Sequence, residues 1–184
     1  MFRRNRQNAA LEAAEHATCN DFRKIFMEDM DGLHLLALLL TANEELAAEC
    51  FVAGLDDSIR DNSVFRQWAR SWSKRAIIKN AIQYIKPGHP EEEINDNALE
   101  PGGPQRDRLV SSVTQLAPME RFAFVMSVLE GYSPAECSAL LGCTLPAIVA
   151  ARSQALRQLA AQNITVKEDC EAACASLIMQ AGAA

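Results

Sequence analysis

Between Gly131 and Leu156 the sequence reads GYSPAECSALLGCTLPAIVAARSQAL. Its punctuation leaves few folds open. Gly131 suits the end of a preceding helix that opens near Pro118. Ser133-Pro134-Ala135-Glu136 is a capping box, with proline at the first helical position, where its missing N–H costs nothing. Gly142 ends that short helix. Thr144 is placed to cap the next one, and Pro146 falls in its first turn, where proline is tolerated. Cys137, Ser138, Leu141, Cys143 and Ile148 are small or apolar at the positions where two short helices must approach closely. This pattern predicts a helix-turn-helix. An ordinary helical hairpin in a bundle would carry part of the same signal.

The rest of the chain also reads as helix. Residues 21–42 place Phe22, Ile25, Phe26, Met30, Leu33, Leu36, Ala37 and Leu40 at three- and four-residue steps, which predicts one long helix. Asn43 is a candidate cap for a second helix, with Leu46, Cys50 and Phe51 inward. The polar DDSIRDNS stretch that follows predicts a break. A third helix is expected over about 63–85, with Phe65, Trp68 and Trp72 on its core stripe. Pro87, Gly88, Pro90, Pro101, Gly102, Gly103 and Pro104 surround a run of Glu, the composition of a solvated linker. Thr165-x-x-Glu168 is a second capping box and predicts a last helix to about Gln180. No strand signal or internal repeat stands out. The expectation is an all-α chain of two small helical domains on a flexible linker, the second a helix-turn-helix. The boundaries are 18–87, a linker 88–108, 109–162, and a tail 163–184.

Charge and cysteine content narrow the function. The net charge is -6 over 184 residues, so any nucleic-acid contact must come from a local basic patch. Such a patch exists: Arg60, Arg66, Arg70, Lys74, Arg75, Lys79 and Lys86 have Asp61 as the lone acid among them. Arg66, Arg70 and Lys74 are four apart and share one helix face. The six cysteines form no C-x-x-C pair, and several fall in apolar helical patterns, so reduced and mostly buried thiols are expected. Cys170 and Cys174 share a face, with no nearby His to complete a metal set. His16, His34 and His89 are scattered, and no phosphate loop or nucleophile motif appears. No enzyme, catalytic residue, metal site or cofactor is expected; His34 near Asp31 reads as a surface pair. The N-terminus is basic but lacks a signal peptide's apolar core, and no apolar run spans a bilayer. A cytoplasmic location and no membrane partner are expected.

The segment LAPMERFAFVMSVLEGYSPAECSALLGCTLPAIVAARSQALRQL resembles region four of bacterial RNA polymerase sigma factors, especially the extracytoplasmic-function group. Leu116, Arg121, Glu130, Gly131, Ser133, Glu136, Leu141, Gly142, Cys143 and Thr144 hold that region's typical positions. DFRKIFMEDMDGLHLLALLLTANEELAAECFVAGL and FRQWARSWSKRAIIKNAI are similar to the helices of sigma region two. The resemblance covers about 20–160. It implies core RNA polymerase and promoter DNA as partners, with an anti-sigma factor as a further candidate. It places the polymerase contact on Glu45, Ala48 and Glu49, where Ala48 replaces the usual Gln. Promoter contacts fall on Arg60, Arg66, Arg70, Lys74 and Lys79 in the first domain, and on Thr144, Arg152, Ser153, Gln154 and Arg157 in the second. The recognition helix departs from the family. Val149, Ala150 and Ala151 stand where Lys, Ser and Arg are usual, and Leu156 where Arg is usual. Two expectations stay open: a transcription initiation factor, or a sigma-derived interaction module that no longer reads promoter DNA.

Overall fold

The computed structural model describes residues 15–60, 64–87 and 106–162. Most of the expected linker, the expected final helix over 166–180, and Cys170 and Cys174 lie outside the described residues. Within them the chain is all-α. The one extended pairing is a bridge between His16 and Phe65, with the Ala17 N–H donating to the Val64 carbonyl at 2.7 Å.

Four α-helices are described in the first half. Helix α1 runs Cys19–Glu28 and opens on a capping box in which Thr18 and Asp21 bond each other's backbone N–H. The same bonds hold the Asp21 carboxyl below its usual range; the Arg66 charge contributes less. Helix α2 is Met30–Thr41. The single helix expected over 21–42 is therefore two. Asp29, between them, leaves helical geometry (φ -105°, ψ 20°), and its carboxylate is bonded by Arg70. The two pieces bury different faces. α1 buries only Phe22 and Phe26, whereas α2 buries Leu33, Leu36, Ala37, Leu39 and Leu40, most of its circumference. Met30, expected inward, is 55% exposed beside the bend.

Helix α3, Glu44–Arg60, starts where Asn43 caps it through a 2.9 Å bond from the Leu46 N–H. It continues five residues into the stretch expected to break it. One of those polar residues has a tertiary partner and another bonds within the helix. Asp57 accepts from the buried Asn80 amide at 2.9 Å, and Ser58 donates back to the Gly54 carbonyl at 2.7 Å. Residues Val64 and Phe65 are extended, Arg66–Trp68 form a 3₁₀ turn, and helix α4 follows as Ala69–Ile85. Here the aromatic expectation fails. Trp68 is 56% exposed and Phe65 sits at the surface against it, because the 3₁₀ turn rotates both off the buried stripe of Ala69, Ser73, Ala76 and Ile77. Trp72 is half-buried.

α3 and α4 meet most closely at Gly54. A Cβ there would lie 2.7 Å from the Ile77 Cγ1 and 3.3 Å from the Ile77 backbone nitrogen. Gly54→Ala should thus destabilise by about 1–3 kcal/mol of overpacking, offset by the roughly 1 kcal/mol that alanine gains in a helix. Gly54→Leu has no such offset and should abolish cooperative folding. Urea denaturation of both variants checks this; a stabilised Gly54→Leu would show that the helices separate freely.

The second half holds α5 (Arg106–Thr114), α6 (Pro118–Phe124), α7 (Pro134–Leu141) and α8 (Leu145–Ala161). The helix expected over 118–130 does not stay α. Its last part, Val125–Leu129, widens into a π turn, closed by the Glu130 N–H on the Val125 carbonyl at 3.0 Å. Residues 121–126 are all buried, so the later part of α6 and the start of the π turn are enclosed. It lies between α8 and α2. One apolar cluster accordingly runs from Phe26, Leu40, Cys50 and Ile77 through to Phe122, Phe124, Ile148 and Leu159.

Arg121 fixes this joint. It is 5% exposed and donates to the Leu40 carbonyl at 3.1 Å, the Thr41 carbonyl at 3.4 Å, and the Leu116 and Thr114 carbonyls at 3.1 and 3.3 Å. Leu40 and Thr41 end α2, whose last carbonyls have no partner within the helix. A cation there also meets the negative end of the helix dipole. Burial pulls the guanidinium down to about 10, still charged at neutral pH. At the opposite edge, Lys74 of α4 bonds both carboxylate oxygens of Glu130 at 2.9 and 3.2 Å.

Candidate nucleic-acid interface

The helix-turn-helix is assembled from local bonds. Ser133 and Glu136 form the expected capping box, which also holds the Glu136 carboxyl below its usual range. Gly142 ends α7 in the left-handed region at φ 64°. Ser138 donates its hydroxyl to the Cys143 carbonyl and ties the turn to α7. Cys137 and Ile148 are fully buried between the helices, and Leu141 is nearly so. Burial raises the Cys137 and Cys143 thiols, and takes that of Cys50 up to about 12. These are packed, unreactive sulfurs.

Thr144 occupies the cap position of α8 but makes no capping bond, contrary to the sequence expectation. Thr144, Leu145 and Pro146 are all exposed, so the start of α8 is open to solvent. Along α8, Leu145 and Val149 are each 47% exposed, and Ala150, Arg152, Ser153 and Arg157 are also exposed. Gln154 is half-buried and accepts from Arg157, and Ser153 turns back to the Val149 carbonyl at 2.8 Å. The outer face of the recognition helix is open and carries more methyl groups than charge.

The cations of the first half separate into two sets. Arg66 lies in the 3₁₀ turn ahead of α4, whereas Arg70 and Lys74 are on α4, and each of the three meets an acid. Arg66 pairs with Asp21 at 3.3 Å, Arg70 with Glu28 and Asp29, and Lys74 with Glu130. The second set, Arg60, Arg75 and Lys79, surrounds Trp72, with Arg60 paired to Asp57 at 3.3 Å and the Lys79 Nζ 5.7 Å from the Trp72 ring.

Glu45, Ala48 and Glu49 are all exposed on α3, and Val52, one turn on, is 58% exposed. The spacing puts them on one face. His34 meets Glu44 at 3.7 Å across the α2–α3 turn, not Asp31 as expected. Sequence reasoning missed Arg121 as a joint residue and Glu130 as the partner of Lys74. Both stand at positions of the sigma resemblance, but nothing local told where their side chains end.

With the turn, the caps and the exposed second helix in place, the outside comparison is specific. Residues 106–159 match the family model for Sigma-70, region 4. That segment is similar to region 4 of sigma factors. The region-4 match spans α5 to the end of α8, which is less than a third of the chain. Region 4 is a non-enzymatic transcription-factor domain whose helix-turn-helix serves DNA binding. No curated protein matches the chain. Among the described residues no single helix is long and apolar enough to cross a membrane. The bent pair α7 and α8 passes a length-and-composition test only jointly, and it is the region-4 helix-turn-helix itself.

Proposed function

We propose that this chain is a transcription initiation factor of the extracytoplasmic-function sigma type, working in the cytoplasm through core RNA polymerase and promoter DNA. One observation carries the reading: a region-4 helix-turn-helix whose second helix lies open along its outer face. In this reading residues 18–87 act as region two and 109–162 as region four, joined by 88–108 and followed by a tail. The exposed Glu45, Ala48, Glu49 and Val52 face supplies the polymerase contact. The surface aromatics Phe65 and Trp68 sit beside Arg66 and Arg70, a combination that favours unstacked bases and backbone phosphates. Thr144, Arg152, Ser153, Gln154 and Arg157 supply the duplex contact. The test is co-purification of the full chain with core polymerase, then promoter-directed transcription. Glu45→Lys with Glu49→Lys should abolish co-purification. Failure of the unaltered chain to bind core polymerase would overturn the reading.

A second reading has its own support. Leu145 and Val149 show methyl groups where a reading helix needs donors. Arg66, Arg70 and Lys74 already have acidic partners within the chain. A sigma-derived module that binds a protein, such as an anti-sigma factor, and no longer reads promoters fits those two facts.

A further inference from the structure

A cleft of about 720 Å³ lies along α4 where it meets the loop between α6 and α7, within the size range of small-ligand sites. Its walls come from both halves of the molecule. The 3₁₀ turn gives Trp68, α4 gives Trp72, Arg75 and Lys79, and the opposite wall gives Glu130 and Tyr132. The charges are unequal: four cations line it against two acids, in a protein of net charge -6. Both acids are engaged, Glu130 by Lys74 and Glu136 by the Ser133 cap. Arg70 and Lys74 are engaged in turn. Arg75 makes no ion pair among the described residues, although its charge acts on Glu136 and Tyr132 across the cleft, and Lys79 lies over the Trp72 ring. A second cleft of about 360 Å³ shares Trp72, Arg75 and Lys79, so these three side chains form the ridge between two hollows.

Cations beside an indole and a phenol recognise a planar ring joined to an anion. We propose that this cleft binds a planar nucleobase carrying phosphate, with the phosphate on Arg75 and Lys79 and the base against the Trp72 and Tyr132 side of the cleft. Such a ligand touches both halves, so it favours the arrangement in which they are joined. The site is separate from the outer face of α8 and does not depend on polymerase binding.

The chain has two tryptophans and both line this cleft, so their emission reports its occupancy directly. The full chain is titrated at low salt with ATP, inorganic tripolyphosphate and a short oligothymidylate. ATP should quench saturably, and tripolyphosphate should bind about tenfold more weakly because it has no ring to stack. Arg75→Gln with Lys79→Gln should weaken ATP about tenfold or more, with an unchanged circular dichroism spectrum. Tyr132→Leu, which keeps bulk and removes the aromatic face, should weaken it as well. Saturation by the oligonucleotide and not by ATP assigns the same chemistry to a single strand instead of a free nucleotide. No saturable response to either, equal affinity for tripolyphosphate, or full binding by the double variant overturns the proposal.

Discussion

Arg121→Ala should lower the stability of the chain by about 3 kcal/mol or more. The side chain makes four hydrogen bonds to main-chain carbonyls at 3.1 to 3.4 Å, and it is 5% exposed. Truncation leaves those carbonyls without their donor in a volume that water does not fill easily. It also removes the cation from the end of α2. The loss is tempered by one gain: a buried guanidinium, held down to about 10, is costly to desolvate, and alanine relieves that cost. Arg121→Met separates the contributions. It restores packing and relieves desolvation but supplies no donor, so its loss should be smaller, about 1–2 kcal/mol. Lysine reaches one carbonyl but cannot fork across the ends of α2 and α5. Urea denaturation of the three variants measures the series. An alanine variant within about 0.5 kcal/mol of the parent would mean that the joint is held by its apolar contacts alone.

Val149→Arg combined with Ala150→Lys should raise affinity for duplex DNA about tenfold or more. Both residues are exposed on α8, near Arg152 and one turn beyond the open N-terminus at Thr144. Each new phosphate contact should also steepen the log–log salt dependence by about 0.9 for a duplex. Arg152→Ala in the parent chain should have the opposite sign and a smaller effect, since it removes one contact from a sparse set. Fluorescence anisotropy at several salt concentrations reads both quantities. If the added charges leave affinity and slope unchanged, the α8 face does not meet DNA, and the interaction-module reading takes its place. The test is direct because neither position is buried and the fold should tolerate both changes.

The same comparison bears on Arg66, Arg70 and Lys74. Their spacing marked them as a free basic stripe, yet each has an acidic neighbour in the folded chain. These pairs are partly exposed and contribute little to stability. Their consequence is electrostatic: a side chain already beside a carboxylate draws a phosphate less strongly than its charge alone would. Arg75 and Lys79 make no ion pair among the described residues, although the Arg75 charge also acts on Glu136.

What the sequence determined by itself is what short-range chemistry determines. The Ser133–Glu136 box, the Gly142 turn, the Asn43 cap and the Gly131 terminus all rest on groups within five residues of one another, and each stands in the structure where its residues place it. The all-α class follows from the same local signals joined to apolar periodicity. Tertiary structure decided the rest, because the deciding partners are far apart in the chain. Arg70 reaches Asp29 across 41 residues, Lys74 reaches Glu130 across 56, and Arg121 reaches Leu40 across 81. Asp29 interrupts a helix that periodicity would have carried straight through. Asp57 lies in one that composition would have ended, and Asn80 holds it across 23 residues. Trp68 is exposed because the chain enters α4 through a 3₁₀ turn, and the buried positions fall to Ala69, Ser73, Ala76 and Ile77 instead. A pattern of residue types fixes which groups want burial or a partner; only the folded chain fixes which of them find one.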